Sequence, residues 1–151
     1  MTDSSAGSAQ EPSGDRLVQL AKEYFQKVDA GDTSLLGMFT DDVQAYYPQF
    51  GTVKGTEGLV HLVQALTTAV SRFHHDEQFM KVTQSGNRVV IEGIETGTLA
   101  DGTPFPADSR SEGRMCNVFE FRGTLISRLH IYADPDLAGQ HPHLFPPSGP
   151  S

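Results

Sequence analysis

The sequence predicts an α+β domain in which helices come first and a run of antiparallel strands follows. Two stretches, residues 15–30 and 56–73, repeat apolar residues at the spacing of amphipathic helices. From residue 78 onward, apolar and polar residues instead alternate with the period of two that strands show. Helices segregated from antiparallel strands are typical of α+β domains. We therefore expect a bent sheet that folds over the long helix and leaves a pocket between them.

The composition indicates one domain and excludes several kinds of partner. The chain has 151 residues, of which 37% are hydrophobic, enough for a single core. Its net charge of -8, with no basic stripe, argues against binding to nucleic acid or to anionic membranes. The single cysteine, Cys116, excludes an intrachain disulfide, and neither a membrane-spanning apolar run nor a secretion signal is evident. We therefore expect a soluble, cytoplasmic protein.

Three segments are expected along the chain. Residues 1–14 are small, polar and contain proline and glycine, so they are predicted to form a disordered tail. Residues 15–134 contain all the periodic segments and form the predicted domain. Residues 135–151 are rich in proline, glycine and histidine and are predicted to form an extended tail that can lie over the domain.

Helices and strands are assigned within the domain from their periodicity. The helices are residues 15–30, 34–39 and 56–73, and the strands are residues 43–47, 78–83, 88–98 and the two halves of 114–134. Tyr24 lies on the apolar face of the first helix, so its ring is expected to point inward and its hydroxyl to need a partner. Pro48 ends the first strand because proline cannot donate to a sheet ladder.

The two strands within residues 114–134 contain one polar exception. On the first strand, Asn117 shares a face with Met115, Phe119 and Phe121. A buried amide without partners costs about 1–3 kcal/mol, so Asn117 is either satisfied within the core or aimed into a cavity. On the second strand, one face carries Leu125, Leu129, Ile131 and Ala133, and the other carries Arg128, His130, Tyr132 and Asp134.

Together these features resemble the nuclear-transport-factor-2-like superfold and, within it, the SnoaL-like and ketosteroid-isomerase-like group. The resemblance spans residues 16–134 and depends on four short motifs: YFQKVDAGD at 24–32, FTDDV at 39–43, GTEG at 55–58, and CNVFEF at 116–121 followed by IYAD at 131–134. It implies a cone-shaped fold in which three N-terminal helices pack on a strongly curved, mostly antiparallel sheet and enclose an apolar pocket.

The resemblance also suggests roles for two polar side chains. Tyr24 matches the tyrosine that donates to the substrate oxyanion in ketosteroid isomerase. Asn117 matches that family's protonated aspartic acid, and an amide is likewise a neutral donor. The departure is Tyr47, which stands before Pro48 where the isomerase has its proton-shuttling aspartate. A phenol with an ordinary pKa of about 10 is a poor base at neutral pH.

Glu92 is the alternative base that the sequence offers. On strand 88–98 it shares a face with Val90, Ile94 and Thr96, and the resemblance implies that this face looks into the pocket. Burial in an apolar wall raises the pKa of a carboxyl group toward the range that suits a general base. A single bulge would instead turn Glu92 outward, as an exposed strand residue.

The resemblance therefore predicts a cofactor-independent enzyme that enolises, isomerises or cyclises a hydrophobic carbonyl compound of polyketide or steroid type. The predicted catalytic residues are Tyr24, Asn117 and Glu92, and the predicted substrate-binding residues are Tyr47, Phe50, Met115 and Phe119. Two alternatives stay open: a non-catalytic domain that binds small molecules, and an epoxide-hydrolase or dehydratase of the same superfamily.

No cofactor is expected, because phosphate-binding, nucleophile-elbow and dinucleotide motifs are missing from the sequence. The pairs His74-His75 and His141/His143 invite a metal hypothesis, but spacing places no third ligand beside them. The expected partners are a small hydrophobic ligand and a second copy of the chain. The outward row of Arg128, His130 and Tyr132 is the predicted homodimer surface.

Overall fold

Helices and strands alternate in the first half of the chain, and the second half consists of strands after one short 3-10 turn. The computed structural model describes residues 11–107 and 110–141. In order, the elements are α1 (Gly14–Ala30), a 3-10 helix (Thr33–Met38), β1 (Phe39–Tyr47), β2 (Gly51–Lys54), α2 (Gly55–Ala69), β3 (Val70–His75), a 3-10 turn (Glu77–Phe79), β4 (Lys81–Ser85), β5 (Arg88–Leu99), β6 (Pro104–Phe105), β7 (Arg114–Arg122) and β8 (Leu125–Tyr132).

The strands form one strongly curved sheet that wraps around the helices. Its order is β2-β1-β8-β7-β5-β3, and both β4 and β6 also pair with β5. β1 and β8 run parallel, whereas the other pairs are antiparallel. Helix α2 lies against β1, and α1 lies against β3. The predicted cone of three N-terminal helices on a mostly antiparallel sheet is therefore confirmed.

Helix α1 begins and ends where its side chains allow. The hydroxyl of Ser13 accepts a hydrogen bond from the backbone N–H of Arg16, at 3.1 Å, and so caps the first turn. Gly31 ends the helix with a φ of 65°, a left-handed conformation that glycine adopts without strain. The buried face consists of Leu17, Leu20, Ala21, Tyr24 and Phe25.

The second long helix is shorter than predicted. Helix α2 ends at Ala69, and Val70 is already extended, with φ of -125° and ψ of 123°. Residues 70–75 continue as β3, so the helix predicted to reach residue 73 is wrong over its last four positions. Val70 and Phe73 fit the helical period, but pairing with β5 decides in favour of a strand. This difference places His75 on the sheet.

The close approach of three strands depends on a glycine. At Gly97 of β5, an added Cβ would lie 2.0 Å from the carbonyl oxygen of Arg72 and 2.5 Å from the ring of Phe105. Both contacts are far shorter than van der Waals contact, so only glycine lets β3 and β6 approach β5 at this point.

The last two strands follow the predicted alternation except at one end. Leu129 and Ile131 are buried as expected, but Leu125 is 39% exposed and Ile126 takes its place in the core. The pairing of β7 with β8 shifts between Glu120 and Phe121, which moves the alternation by one residue.

The predicted tails fall mostly outside the described residues. Helix α1 begins at Gly14, and the residues after β8 up to His141 form no further helix or strand. The side-chain amide of Gln49 donates a hydrogen bond to the carbonyl of Pro135, which ties the start of the C-terminal segment to the β1–β2 turn. Within the described ranges, no helix is long and apolar enough to cross a membrane.

Candidate functional site

A pocket lies between the helices and the inner face of the sheet. Its space, including the open mouth, is about 770 Å³. Most of its walls are apolar, with a smaller number of polar side chains among them. The lining residues are Tyr24, Phe25, Val28, Gly31, Asp32, Thr33, Leu35, Leu36, Tyr47, Val63, Leu66, Thr67, Phe73, His75, Glu95, Asn117 and Ile131.

Tyr24 reaches this pocket from α1. Its ring packs edge-on against Phe25, Phe39 and Phe119, with centroids 5.3, 6.3 and 5.5 Å away, so its direction is fixed. Burial raises the pKa of the Tyr24 hydroxyl, and the negative charges of Glu95 and Asp29 raise it further. The phenol is therefore neutral at physiological pH and is available as a hydrogen-bond donor.

Asn117 lines the pocket from strand β7, in the interior of the sheet. It is paired in register with Ile91 of β5 and Ile131 of β8, and it is only 3% exposed. Its side-chain amide makes no hydrogen bond to any other residue that the structure describes. The amide is thus a neutral donor and acceptor facing the pocket.

Tyr47 contributes a third neutral hydroxyl, from the end of β1. Its hydroxyl oxygen is buried and has no hydrogen-bond partner within residues 11–107 and 110–141. Burial raises the pKa of Tyr47, and the charge of Glu95 adds to the effect, so this phenol also keeps its proton. Leaving such a group unpaired costs about 1–3 kcal/mol, a cost that a ligand oxygen can remove.

Glu92 does not reach the pocket, so its predicted position is wrong. It is exposed on the outer face of β5, whereas Val89, Ile91 and Glu95 are buried on the inner face. The strand carries apolar residues on both faces, among them Val90 and Ile94, so the alternation alone does not decide which face is inside. The packing against α1 decides it.

Three of the predicted substrate-binding residues also lie elsewhere. Phe50 is 36% exposed, and its ring lies 5.7 Å from that of His61, away from the pocket lining. Met115 and Phe119 are buried in the core at 3% and 0% exposure, behind the lining residues. Phe119 still supports the site, because its ring packs against Tyr24.

The inner face of β5 instead presents Glu95 to the pocket, opposite His75 of β3. The two residues are a cross-strand pair, and the His75 Nε2 lies 3.2 Å from the Glu95 Oε1. The other ring nitrogen, Nδ1, lies 2.6 Å from the Oδ1 of Asp29, which is in the last turn of α1. The second Asp29 oxygen accepts the backbone N–H of His75 at 2.8 Å.

The two carboxylates set the charge of the ring between them. Burial by itself lowers the pKa of His75, but the hydrogen bonds and charges of Asp29 and Glu95 outweigh it and raise the pKa to about 9. At neutral pH the ring is therefore an imidazolium that donates to both carboxylates. With both carboxylates ionised, the three groups together carry one net negative charge.

Asp29, His75 and Glu95 were not predicted as site residues from the sequence. His75 was considered only as a metal ligand beside His74, which is 55% exposed and lies 4.0 Å from Asp29. Within the described ranges, no group of three His, Cys, Asp or Glu side chains is arranged to hold a metal ion. A signal existed in hindsight: Asp29 follows Phe25 by one helical turn, on the same face of α1.

The family of the chain follows from comparison with known proteins. A family model described as a SnoaL-like domain matches residues 21–129, well over half of the sequence. The chain therefore belongs to the SnoaL-like family, a branch of the nuclear-transport-factor-2-like superfamily. No curated protein matches the sequence.

Solved structures with the same fold are distant in sequence. An NTF2-like protein from Burkholderia xenovorans is 21% identical, with 85% of this chain and 96% of that chain covered and a TM-score of 0.64. A candidate polyketide cyclase from Xanthomonas campestris is 20% identical, with 80% and 92% covered and a TM-score of 0.65. A candidate isomerase from Bacillus subtilis is 16% identical, with 83% and 91% covered and a TM-score of 0.65. These likenesses establish the fold alone.

Proposed function

We propose that the protein is a cofactor-independent enzyme that removes a proton beside the carbonyl group of a hydrophobic small molecule, leading to isomerisation or cyclisation. The observation that carries this proposal is Glu95, a buried carboxylate in the wall of a mostly apolar pocket that also contains the neutral polar side chains of Tyr24, Tyr47 and Asn117. A base and a set of donors in one water-poor pocket are the two requirements for enolisation.

The donors are Tyr24, Tyr47 and Asn117, which come from a helix and two strands of the sheet. A ligand carbonyl oxygen accepts hydrogen bonds from them, and the bonds strengthen as the oxygen becomes an enolate. The raised pKa of both tyrosines keeps their protons in place, so the donors do not compete with the base for the substrate proton.

Glu95 is the proton acceptor in this scheme. Its Oε1 is bonded to His75, which leaves Oε2 to take a proton from the carbon next to the carbonyl. The C–H bond breaks, an O–H bond forms on Glu95, and the electron pair moves to the carbonyl oxygen. In a conjugated substrate the enolate then takes the proton back from Glu95 at another carbon, which is isomerisation. Alternatively, the enolate carbon forms a bond to a second carbonyl carbon, the π bond of that carbonyl breaks, and its oxygen takes the proton from Glu95, which is cyclisation.

The names of two proteins with the same fold agree with this reaction class. They name a candidate polyketide cyclase and a candidate isomerase, and both chains share the fold described above. At 20% and 16% identity they lend support only to the class of chemistry. The second candidate function is that of a non-catalytic binding domain. The unpaired hydroxyl of Tyr47 supports it, because such a group would bind a ligand oxygen without any chemical step.

Deuterium exchange separates the two functions. The probe is 2-tetralone, a bicyclic ketone with acidic α protons, incubated in heavy water and followed by proton NMR. The wild type and a Glu92→Gln control on the same strand should accelerate exchange, and Glu95→Gln should abolish the acceleration. Tyr24→Phe and Asn117→Leu should each slow exchange about 100-fold, which is typical of a lost oxyanion donor. Binding of the probe without accelerated exchange would leave only the binding function.

A further inference from the structure

We propose that Asp29 is a positioning residue, which fixes His75 as a doubly bonded cation and thereby holds Glu95 in its charged, pocket-facing position. The proposal rests on the proposed function where it concerns proton transfer. Its structural part concerns the protein without substrate and is tested separately below.

The geometry around His75 leaves the ring one orientation. Asp29 holds both the backbone N–H, at 2.8 Å, and the ring Nδ1, at 2.6 Å, so one carboxylate clamps one residue at two points. The rings of Phe25 and Phe73 lie against the imidazole, with centroids 4.8 and 6.2 Å away. With Nδ1 committed to Asp29, Nε2 necessarily faces Glu95.

The charged and titratable groups that face this cluster come from four elements. Helix α1 contributes Asp29 and the neutral phenol of Tyr24, β1 contributes the neutral phenol of Tyr47, β5 contributes Glu95, and β3 contributes the exposed His74 at 4.0 Å from Asp29. The side chain of His75 is only 5% exposed, so solvent contributes little to stabilising its charge. Two carboxylates together outweigh the cost of burying the cation, so loss of one of them weakens this compensation and lowers the pKa of His75.

Removal of the Asp29 charge therefore affects Glu95 through the ring. A neutral imidazole has one N–H and one acceptor nitrogen, so it can no longer donate to both neighbours. Where the ring is neutral, Glu95 has no cation beside it in the apolar wall, and burial opposes its negative charge. A carboxyl group that carries a proton cannot accept the substrate proton.

The first test follows the ring nitrogens of His75 by ¹⁵N NMR in the protein without substrate. The wild type should show two ring N–H protons at neutral pH and titrate near pH 9. In Asp29→Asn, which preserves the shape of the side chain, the midpoint should fall by about two pH units. Asp29→Glu should reverse part of this decrease in the midpoint. Glu23 is an exposed acid on the same helix, and its substitution Glu23→Gln should leave the His75 midpoint unchanged.

Two results would each overturn the proposal. The first is a single ring N–H on His75 in the wild type, a measurement that does not depend on the folding of any variant. The second is a His75 titration midpoint that is unchanged in Asp29→Asn. The second test measures 2-tetralone exchange against pH. In Asp29→Asn, the loss of activity on the acidic side of the pH–rate profile should occur at a higher pH than in the wild type, with little change in KM. Asp29→Glu should shift this limb back toward the wild-type pH. A purely structural role for Asp29 would instead lower the rate equally at every pH.

The two tests separate this inference from the proposed function. If the His75 midpoint falls in Asp29→Asn but the wild type never accelerates exchange, the positioning role stands and the enzymatic function fails. If the wild type accelerates exchange and the midpoint does not move, the enzymatic function stands and Asp29 has no positioning role.

Discussion

His75 and Glu95 face each other across β3 and β5, and the ring Nε2 lies 3.2 Å from the carboxylate Oε1. This cross-strand pair places a cation and a carboxylate in the wall of a mostly apolar pocket. The pair depends on sheet register, since a slip of one residue on either strand would turn one partner to the outer face. The register of two strands thus determines the chemistry that the pocket can support.

Replacement of Tyr47 by phenylalanine should separate stability from ligand binding. The buried, unpaired hydroxyl is lost, so the free energy of unfolding should rise by about 1 kcal/mol in urea denaturation. Binding of 2-tetralone should weaken about tenfold, because the ligand oxygen loses a donor. Tyr46→Phe, the neighbouring position on the outer face, is the control and should change neither quantity. A Tyr47→Phe protein of lower stability would show that the hydroxyl has a structural partner.

Stability should fall as the pH rises from 6.5 to above 9. The pKa of His75 is about 9 in the folded protein and ordinarily 6.5, so its contribution is complete below pH 6.5 and is lost as the ring deprotonates. The difference corresponds to about 3 kcal/mol. Urea denaturation at several pH values should show this decrease in the free energy of unfolding. In His75→Gln the free energy of unfolding should not show this decrease. Burial also raises the pKa of the Cys116 thiol, so both proteins should carry Cys116→Ser. Stability that is constant across this range would contradict the cationic state of His75.

The pocket should discriminate against anionic ligands. Glu95 and Asp32 line it, no lysine or arginine appears among its described lining residues, and the His75 charge is already paired with carboxylates. The neutral ketone 2-acetylnaphthalene should therefore bind at least about tenfold more tightly than 2-naphthoate, which has a similar size. Titration calorimetry should show that the difference in affinity between the two ligands is smaller in Glu95→Gln and unchanged in Glu92→Gln. Equal affinities in the wild type would disprove this selectivity.

The outer face of the sheet is the proposed homodimer surface. The ring of Tyr46 lies 5.6 Å from that of His130 and 5.7 Å from that of Tyr132, and the Arg128 guanidinium is 3.1 Å from the His130 ring. Such a mixed aromatic and polar face suits a two-fold contact. Light scattering at micromolar concentration should give a dimer for the wild type and a monomer for Tyr132→Asp.

Phe79→Asp provides the matched control for that experiment. Phe79 and Tyr132 are each 49% exposed, but Phe79 lies on the 3-10 turn before β4, a strand that pairs with β5 and not with β1 or β8. The control should remain a dimer. A wild-type monomer, or dissociation by the Phe79 substitution alone, would assign the contact to another surface or to none.

Several features of this protein are determined by the sequence itself. Helical periodicity ahead of alternating strands predicted the α+β class, and the short motifs between residues 24 and 134 predicted the superfamily. Tyr24 and Asn117 were identified as polar exceptions on apolar faces, and both line the pocket. These inferences succeed because periodicity and composition report which side of an element is buried, a property that each segment carries locally.

The tertiary structure alone decided the rest. The apolar residues on both faces of β5 left its inner face undetermined, so Glu92 was chosen where Glu95 is buried. The sequence of residues 70–73 fits the helical period, but these residues form a strand because they pair with β5. This pairing also places His75 at the pocket. His75 contacts Asp29, which is 46 residues away in the sequence, and Glu95, which is 20 residues away. Contacts between residues so far apart in the chain depend on how the elements pack and in which register they pair, and no local pattern records that.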